Sequence, residues 1–187
     1  MDYESYYSSA RSSYNNACSE INSLENRIRG LQDQKQQKIN LINQLKVDIR
    51  NYQEALESLN QIISNGESLT DGLSDITDKT NQASENFKSM VSSSNVTVKN
   101  LSDVYEDEIS STQSTLNSIF ENLNVRKNEL STKITELQLN LRNAESDLQD
   151  IESRISSAQS SLQDWQRAKS NAAANMEYYS RKMNEAV

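Results

Sequence analysis

The chain has 187 residues, with 34% hydrophobic residues, no proline, three glycines, one cysteine, no histidine and a formal net charge of −8. The missing histidine removes the commonest general base and metal ligand, and a single cysteine excludes an internal disulfide. A net negative chain repels phosphate groups, so nucleic acids and anionic membranes are poor partners. The low apolar content disfavours a compact globule, whereas the scarcity of proline and glycine is typical of very long helices.

The first predicted element is a helix with a continuous heptad stripe from Tyr7 to Ile63. Fifteen of its seventeen positions, spaced alternately three and four residues apart, are apolar or aromatic. This spacing predicts a helix that packs against a second helix along a narrow seam. The two exceptions, Lys35 and Lys38, are interpreted as charges that fix the register of the pair at some cost in stability. The alternatives are that their stems lie along the apolar stripe, or that their ammonium groups contact acidic residues of a partner. The seam residues singled out here are Tyr14, Ile28, Leu45 and Leu59.

The second predicted feature is a helix break at residues 64–72. Asn65-Gly66 is typical of a helix stop, and Gly72 follows shortly after it. Beyond the break, a separate inner seam is predicted at Leu69, Leu73, Ile76, Thr80, Ala83 and Phe87. The run Ser92-Ser93-Ser94-Asn95, close to the midpoint of the chain, predicts a turn near residues 92–99.

The second half of the chain repeats these features in reverse order. Its inner seam is predicted at Tyr105, Ile109, Thr112, Leu116, Ile119 and Leu123. The heptad register then slips at residues 124–129, where no glycine or proline marks a break. From Leu130 to Ala186, sixteen of seventeen seam positions are apolar or aromatic. The seam residues singled out in this stretch are Leu137, Leu148, Trp165 and Tyr179.

The two halves are expected to pair in antiparallel orientation. Folding at about residue 96 places Tyr14 opposite Tyr179, Ile28 opposite Trp165, and Lys38 opposite Ile155. The prediction is an all-α, elongated antiparallel helical hairpin or coiled coil, as one domain over residues 1–187 with arms 2–92 and 97–186. The alternative, a four-helix head on a two-helix stalk, follows if the chain reverses at both 64–72 and 124–129.

The sequence predicts no catalytic residue, no cofactor and no metal site. Cys18 lies one step past the seam residue Ala17 and has no neighbouring base to activate its thiol. The acidic run Glu106-Asp107-Glu108 cannot converge on a cation from a helix, because consecutive helical residues point in different directions. An enzyme is therefore the least expected function.

Several apolar and aromatic residues lie off the seam or gather where the two termini meet. A two-helix hairpin buries little surface, so a helical partner or self-association is expected to cover some of them. The predicted partner interface consists of Tyr3, Tyr6, Ile39, Leu41, Val47, Ile62, Leu139 and Tyr178.

The stretch from Tyr6-Tyr7-Ser8-Ser9-Ala10-Arg11 to Ile49-Arg50-Asn51-Tyr52 resembles a family of small helical proteins of Gram-positive bacteria. These proteins are encoded beside LXG toxins of the type VII (Esx-like) secretion system. The likeness extends into Ile62-Ile63-Ser64-Asn65-Gly66 and Ala83-Ser84-Glu85-Asn86-Phe87. It implies a protein that binds the helical N-terminal domain of the toxin and helps to target it for export.

The chain departs from that family in two motifs. Trp165 is followed by Gln166 and Arg167, so the Trp-x-Gly motif is absent. The usual export signature, an aromatic residue followed four positions later by an acid, is also absent, because Lys182 follows Tyr178 at that spacing. A partner would therefore have to complete the signal.

The expected function is a non-enzymatic helical adaptor or targeting chaperone. Its partners would be an LXG-type toxin and a second small helical protein or a second copy of the chain, and it would be cytoplasmic or co-secreted with its partner. The alternative is a structural, self-associating coiled-coil protein. A pore-forming subunit is disfavoured because residues 67–108 are acidic rather than apolar, and no membrane insertion is expected.

Overall fold

The computed structural model describes residues 2–90 and 95–185, apart from the side chains of residues 87, 88, 90, 95–103 and 106. Helix α1 runs from Tyr3 to Met90 and helix α2 from Asn95 to Glu185. The helices pack against each other in opposite directions, which confirms the predicted antiparallel hairpin. Of the predicted turn at 92–99, residues 92–94 lie outside the described residues and 95–99 are helical.

The first turn of α1 has a side-chain cap. The backbone N–H of Ser5 donates a hydrogen bond to Asp2 Oδ1 at 3.1 Å, which satisfies one of the amides that have no partner inside the helix. Glu4 places a second negative charge near the positive end of the helix dipole. These two residues therefore fix where α1 begins.

The predicted helix break at 64–72 is wrong. Residues 64–72 and 124–129 are all α-helical, which also excludes the reversals required by a four-helix head. No described glycine has a positive φ, so Gly66 does not adopt the left-handed conformation of a helix cap. One glycine costs a helix only about 1 kcal/mol, and continuous packing of α1 on α2 offsets that cost.

The role of Gly66 is to make room for an aromatic ring. A methyl group added at Gly66 would overlap Cε1 and Cζ of Phe120 on α2. At Gly72, by contrast, an added methyl group would meet no atom within 4 Å. The Phe120 ring thus packs against α1 where Gly66 has no side chain. Glycine is needed at this position for packing between the helices and not for a turn.

Replacing Gly66 by alanine is therefore expected to destabilise the protein, whereas Gly72→Ala should stabilise it by about 1 kcal/mol through helix propensity. At Gly66 the same gain is outweighed by overpacking against Phe120, which typically costs about 1–3 kcal/mol. Urea denaturation followed by circular dichroism measures both changes. Adding Phe120→Leu to the Gly66→Ala variant should recover part of the loss, and equal stabilisation by both alanine variants would contradict the assignment.

The predicted inner seams are also wrong in part, because the heptad register continues without a slip. On α1 the positions half-buried against α2 are Gly66, Thr70, Leu73, Thr77, Thr80 and Ser84, while Leu69, Ile76 and Ala83 are exposed. On α2 the half-buried positions are Ile109, Gln113, Leu116, Phe120, Leu123 and Lys127, while Tyr105, Thr112 and Ile119 are exposed. A continuous helix keeps its phase unless residues are inserted, so the strongly apolar outer stripes set the phase of the middle.

Threonine hydroxyl groups make this polar part of the seam possible. Thr70 Oγ1 donates to Gly66 O at 3.1 Å, and Thr77 Oγ1 donates to Leu73 O at 2.8 Å. Thr80 Oγ1 donates in the same way to Ile76 O. Each hydroxyl is thereby satisfied within its own helix, so no hydrogen-bond partner is needed across the seam.

The chain divides into two compact units. Unit 1 comprises Met1–Lys46 with Asn140–Val187, and unit 2 comprises Val47–Leu139. Eleven of the fifteen buried apolar residues lie in unit 1. The four in unit 2 are Ile49, Ile63, Ile134 and Leu137, and no described side chain between residues 64 and 133 is buried. Unit 1 therefore contains most of the buried apolar core, and the middle of unit 2 has no buried side chain among the described ones.

The predicted pairing of unit 1 is wrong by about one heptad. Tyr179 stacks on Tyr6, eight residues before the predicted partner Tyr14, with 5.4 Å between ring centroids. Lys38 Nζ contacts Asp147 Oδ2 at 2.9 Å, eight residues before the predicted partner Ile155. A shift of seven residues returns every seam residue to a seam position, so hydrophobicity alone does not select between the two registers.

Candidate interaction surface

The seam residues singled out from the sequence line the contact between the two helices to different depths. Ile28, Leu45 and Leu137 are buried, with 8–9% of their surface exposed. The others are half-buried: Tyr14, Leu59, Leu148, Trp165 and Tyr179. The apolar seam is thus occupied by the two helices themselves and is not a site for another molecule.

The lysines on the seam form ion pairs across it. Lys35 Nζ lies 2.8 Å from Glu152 Oε1, and Lys38 Nζ lies 2.9 Å from Asp147 Oδ2. The Lys38 side chain is only 25% exposed, so its stem lies along the apolar stripe while its ammonium group reaches the carboxylate. Both ammonium groups thus have carboxylate partners within the protomer, which do not have to come from a partner protein.

The aromatic residues near the helix ends mostly contact each other. Tyr178 meets the edge of Tyr179 at 5.2 Å between centroids, and Tyr179 in turn stacks on Tyr6. Lys169 Nζ lies 5.4 Å from the centroid of Tyr14, a cation–π contact. Only Tyr6 and Tyr178 of these residues leave half or more of their surface exposed. This cluster is chiefly internal packing of unit 1.

A charged pair lies beside this aromatic cluster. Lys182 Nζ donates a hydrogen bond to Glu185 Oε2 at 2.5 Å. That hydrogen bond and the negative charge of Glu185 raise the pKa of Lys182 above its ordinary value. The pair compensates the charge of the last turn of α2 and offers no reactive group.

The predicted partner interface is not one surface. Tyr3 and Ile39 are half-buried, and the other six residues are 42–57% exposed. Tyr3, Tyr6, Ile39, Leu41 and Tyr178 belong to unit 1, whereas Val47, Ile62 and Leu139 belong to unit 2. Within unit 2, Val47 and Leu139 lie two positions before a seam residue and point outward, while Ile62 lies directly beside the seam.

Unit 2 has a second apolar stripe, which consists of Ile62 from the predicted partner interface and of residues predicted for the inner seam. With heptad positions labelled so that the seam is at a and d, exposed apolar residues recur at position g of both helices. We call these residues the open flank: Ile62 (56% exposed), Leu69 (57%) and Ile76 (56%) on α1, and Tyr105 (52%) and Ile119 (47%) on α2. Continuing the heptads onward from Ile63 would have identified them.

The residues of the open flank lie on one side of unit 2. In an antiparallel pair, the g positions of the two helices border the same edge of the seam. The contact between the Gly66 position and Phe120 sets the register of unit 2, and this register brings Leu69 and Ile119 to within one helical turn of each other. The flank is therefore a strip to which both helices contribute apolar side chains, with small or uncharged polar residues between them.

The centre of this strip carries no charge. Between residues 62 and 76 of α1 and residues 112 and 122 of α2, the g positions and the adjacent c positions are Ile62, Asn65, Leu69, Gly72, Ile76, Thr112, Thr115, Ile119 and Asn122. Most acids of α1 in unit 2 lie at positions b, e and f, on the other sides of the helix: Glu54, Glu57, Glu67, Asp71, Asp75, Asp78 and Glu85. Acids on the side of the strip lie outside its centre: Asp48 at position g of α1, and Glu108, Glu129 and Glu136 at position c of α2. The centre of the strip is thus free of acids, and charged residues lie only towards its ends.

The two units differ in net charge. Unit 2 contains 15 acidic and 7 basic residues, whereas unit 1 contains 12 of each. The whole net charge of −8 therefore belongs to unit 2. An acidic unit with an uncharged apolar centre on one side can stay soluble while exposing a contact surface.

The described surface offers little for a small ligand or a metal ion. One groove in unit 1 lies open between the helices and is lined mainly by long polar side chains, among them Gln34, Lys38, Asp147 and Arg154. Within residues 2–90 and 95–185, no three or more Cys, Asp or Glu side chains are grouped as metal ligands would be. Across the same residues, neither helix includes a stretch apolar and long enough to cross a membrane.

The open flank is the surface on which a functional argument can be built. Its large apolar side chains are half exposed or more, or close to it, its centre carries no charge, and all of its residues belong to unit 2. No family model matches the chain, and neither does a curated protein or a solved structure.

Proposed function

We propose that the protein is a non-enzymatic helical adaptor that binds the helical N-terminal domain of an LXG-type toxin and prepares it for type VII secretion. We propose this toxin class and this secretion system because Tyr6-Tyr7-Ser8-Ser9-Ala10-Arg11 and the following heptads resemble partner proteins of such toxins. The adaptor folds in the cytoplasm and either stays there or leaves the cell with its partner.

The observation that carries this proposal is the open flank. Leu69, Ile76 and Ile119 are about half exposed, although each is a large apolar side chain in the middle of a helix. Each helix of a toxin domain with the same heptad spacing could pack its own apolar stripe against this strip. Such lateral packing completes a bundle of three or four helices and removes the apolar surface of both proteins from water.

The main rival is a structural coiled-coil protein that associates only with itself. It uses the same surface, so the flank alone does not separate the two functions. Co-expression with the LXG protein encoded nearest to this chain does. The adaptor should co-purify with that protein at a fixed stoichiometry, and a self-associating spacer should not.

The decisive variants are Leu69→Glu with Ile119→Glu, compared with Leu139→Glu. Leu69 and Leu139 are both 57% exposed and both lie in unit 2, but Leu139 points away from the flank. Two buried carboxylates in an apolar interface should weaken binding to the toxin domain by about 100-fold or more. Isothermal titration calorimetry with the purified toxin domain measures the dissociation constants.

Binding at unchanged strength by the Leu69→Glu, Ile119→Glu variant would place the partner elsewhere on the chain. Absence of any complex with the neighbouring LXG protein would refute the adaptor function itself. All three substituted positions are exposed, so both helices should still form in each variant. Circular dichroism of each variant checks this.

A further inference from the structure

We propose that, without a partner protein, the open flank is covered by a second copy of this chain. In this homodimer, α1 of one copy runs antiparallel to α1 of the other, with a two-fold axis at Leu69. The inference stands independently of the toxin partner, since it concerns the protein alone. It also implies that self-association and binding of a partner on the flank exclude each other.

The sequence of the flank on α1 is self-complementary. Its g positions read Ala55, Ile62, Leu69, Ile76 and Ala83, which is the same series of side-chain sizes in both directions. A two-fold axis makes each residue of one copy meet its mirror position in the other. Leu69 then packs on Leu69 of the second copy, Ile62 packs on Ile76, and the small Ala55 meets the small Ala83.

Helix α2 supports the same axis. The register set by Gly66 and Phe120 places Ile119 at the level of Leu69. The two-fold axis therefore also brings Ile119 near Ile119 of the second copy. Gly72, where an added methyl group meets no atom within 4 Å, leaves free space between Leu69 and Ile76 for a facing side chain. Both helices of unit 2 thus contribute to one apolar centre.

Electrostatics permits this pairing although unit 2 is acidic. The centre of the flank carries no charged side chain, and the acids Glu57, Asp71, Asp78 and Glu85 lie at position b, away from it. Towards the ends of the flank, Glu108 and Glu129 at position c of α2 are accompanied by Arg126 at position g, which has the opposite charge. Repulsion between the acidic sides of two copies acts across the thickness of the bundle and is screened beyond about 8 Å at physiological ionic strength. Raising the salt concentration should therefore strengthen the dimer slightly rather than dissociate it.

Burial supplies the driving force. Between residues 64 and 133, no described side chain of the monomer is buried, so the middle of unit 2 lacks a core of its own. Pairing two flanks adds a layer of Ile and Leu side chains to the weak a and d seam of each copy. The resulting four-helix arrangement gives unit 2 the apolar centre that a helix pair alone does not provide.

The first test is the mass of the purified protein by sedimentation equilibrium at micromolar concentration. The wild-type protein is expected at twice the 21.2 kDa of one chain. Leu69→Glu should return it to one chain with its helical circular dichroism retained, and Leu139→Glu should leave the dimer intact. A monomeric wild-type protein up to about 100 μM would overturn the proposal, because an interface of this kind should hold well below that concentration.

Disulfide trapping tests the arrangement itself, in a Cys18→Ser background that removes the native thiol. Leu69→Cys should crosslink to its own copy about tenfold or more faster than Leu139→Cys, because only the former is held beside its mirror residue. A mixture of Ile62→Cys and Ile76→Cys chains should crosslink to each other, whereas Ile62→Cys alone should stay uncrosslinked. Faster crosslinking of Ile62→Cys to itself than to Ile76→Cys would overturn the antiparallel pairing, and so would equal rates for Leu69→Cys and Leu139→Cys.

Discussion

Replacing Leu31 by alanine is expected to lower the free energy of unfolding by about 2–5 kcal/mol, which is the usual cost of removing a buried leucine side chain. Leu31 is 3% exposed, among the most buried large side chains of unit 1. The helices are held apart by their other seam residues, so the cavity left by the substitution cannot easily collapse. A stability of only about 5–15 kcal/mol for a typical protein makes this a large fraction of the total.

Leu41→Ala is the matched control, since Leu41 lies ten residues further along α1 and is 45% exposed. Its effect should be within about 0.5 kcal/mol of zero. Urea titrations monitored at a helix band of the circular dichroism spectrum measure both variants. Equal losses for Leu31→Ala and Leu41→Ala would show that the seam of unit 1 does not lie where the structure places it.

Reversing both seam lysines, as Lys35→Glu with Lys38→Glu, should cost about 2 kcal/mol in stability. Each exposed or half-exposed ion pair contributes about 0.2–1 kcal/mol, and a pair of like charges in the same place costs a similar amount. The reversed charges would face Glu152 and Asp147, whose carboxylates now lie 2.8 and 2.9 Å from the lysine ammonium groups. Thermal denaturation at low salt is the most sensitive measurement, because salt screens these pairs.

Adding Glu152→Lys and Asp147→Lys to that variant should restore most of the loss. This rescue is specific to the register seen in the structure, since one heptad away Lys38 would face Ile155 instead of Asp147. Reversal of Arg50, whose partner Glu54 lies on the same helix, controls for general effects of charge. If the variant with all four substitutions is no more stable than the variant with the two lysine substitutions, the register seen in the structure is contradicted.

The sequence is sufficient to predict the two long helices and the residues along most of their seam. A stripe with fifteen of seventeen apolar positions leaves few alternatives to a helix packed on one face, as Ile28 and Leu137 illustrate. The register between the two helices, by contrast, does not follow from the apolar stripes. Heptads repeat, so shifting one helix by seven residues changes the identity of each contact but not its apolar character. Ion pairs such as Lys38–Asp147 and the fit of Phe120 at Gly66 distinguish the registers, and both depend on contacts distant in the sequence.

The middle of the chain was misread for a related reason. Leu69 and Ile76 are more apolar than the seam residues Thr70 and Thr77 beside them, so a local reading prefers them as the seam. Helix α1 cannot rotate locally to bury Leu69 and Ile76 instead, because Ile63 and the seam residues that precede it on the same helix fix the phase of the heptads. Leu69 and Ile76 therefore stay exposed and form part of the open flank.

The uneven distribution of buried residues has a mechanical consequence. Tyr6 of α1 stacks on Tyr179 of α2, so a force that pulls the two helix ends apart acts first on unit 1, where most of the buried apolar residues lie. Unit 2 has only four of the fifteen buried apolar residues, so its helices should separate at a lower force than those of unit 1. Rupture under tension should therefore occur in one abrupt step at a single high force rather than as gradual peeling. A partner or second copy seated on unit 2 would turn that step into two.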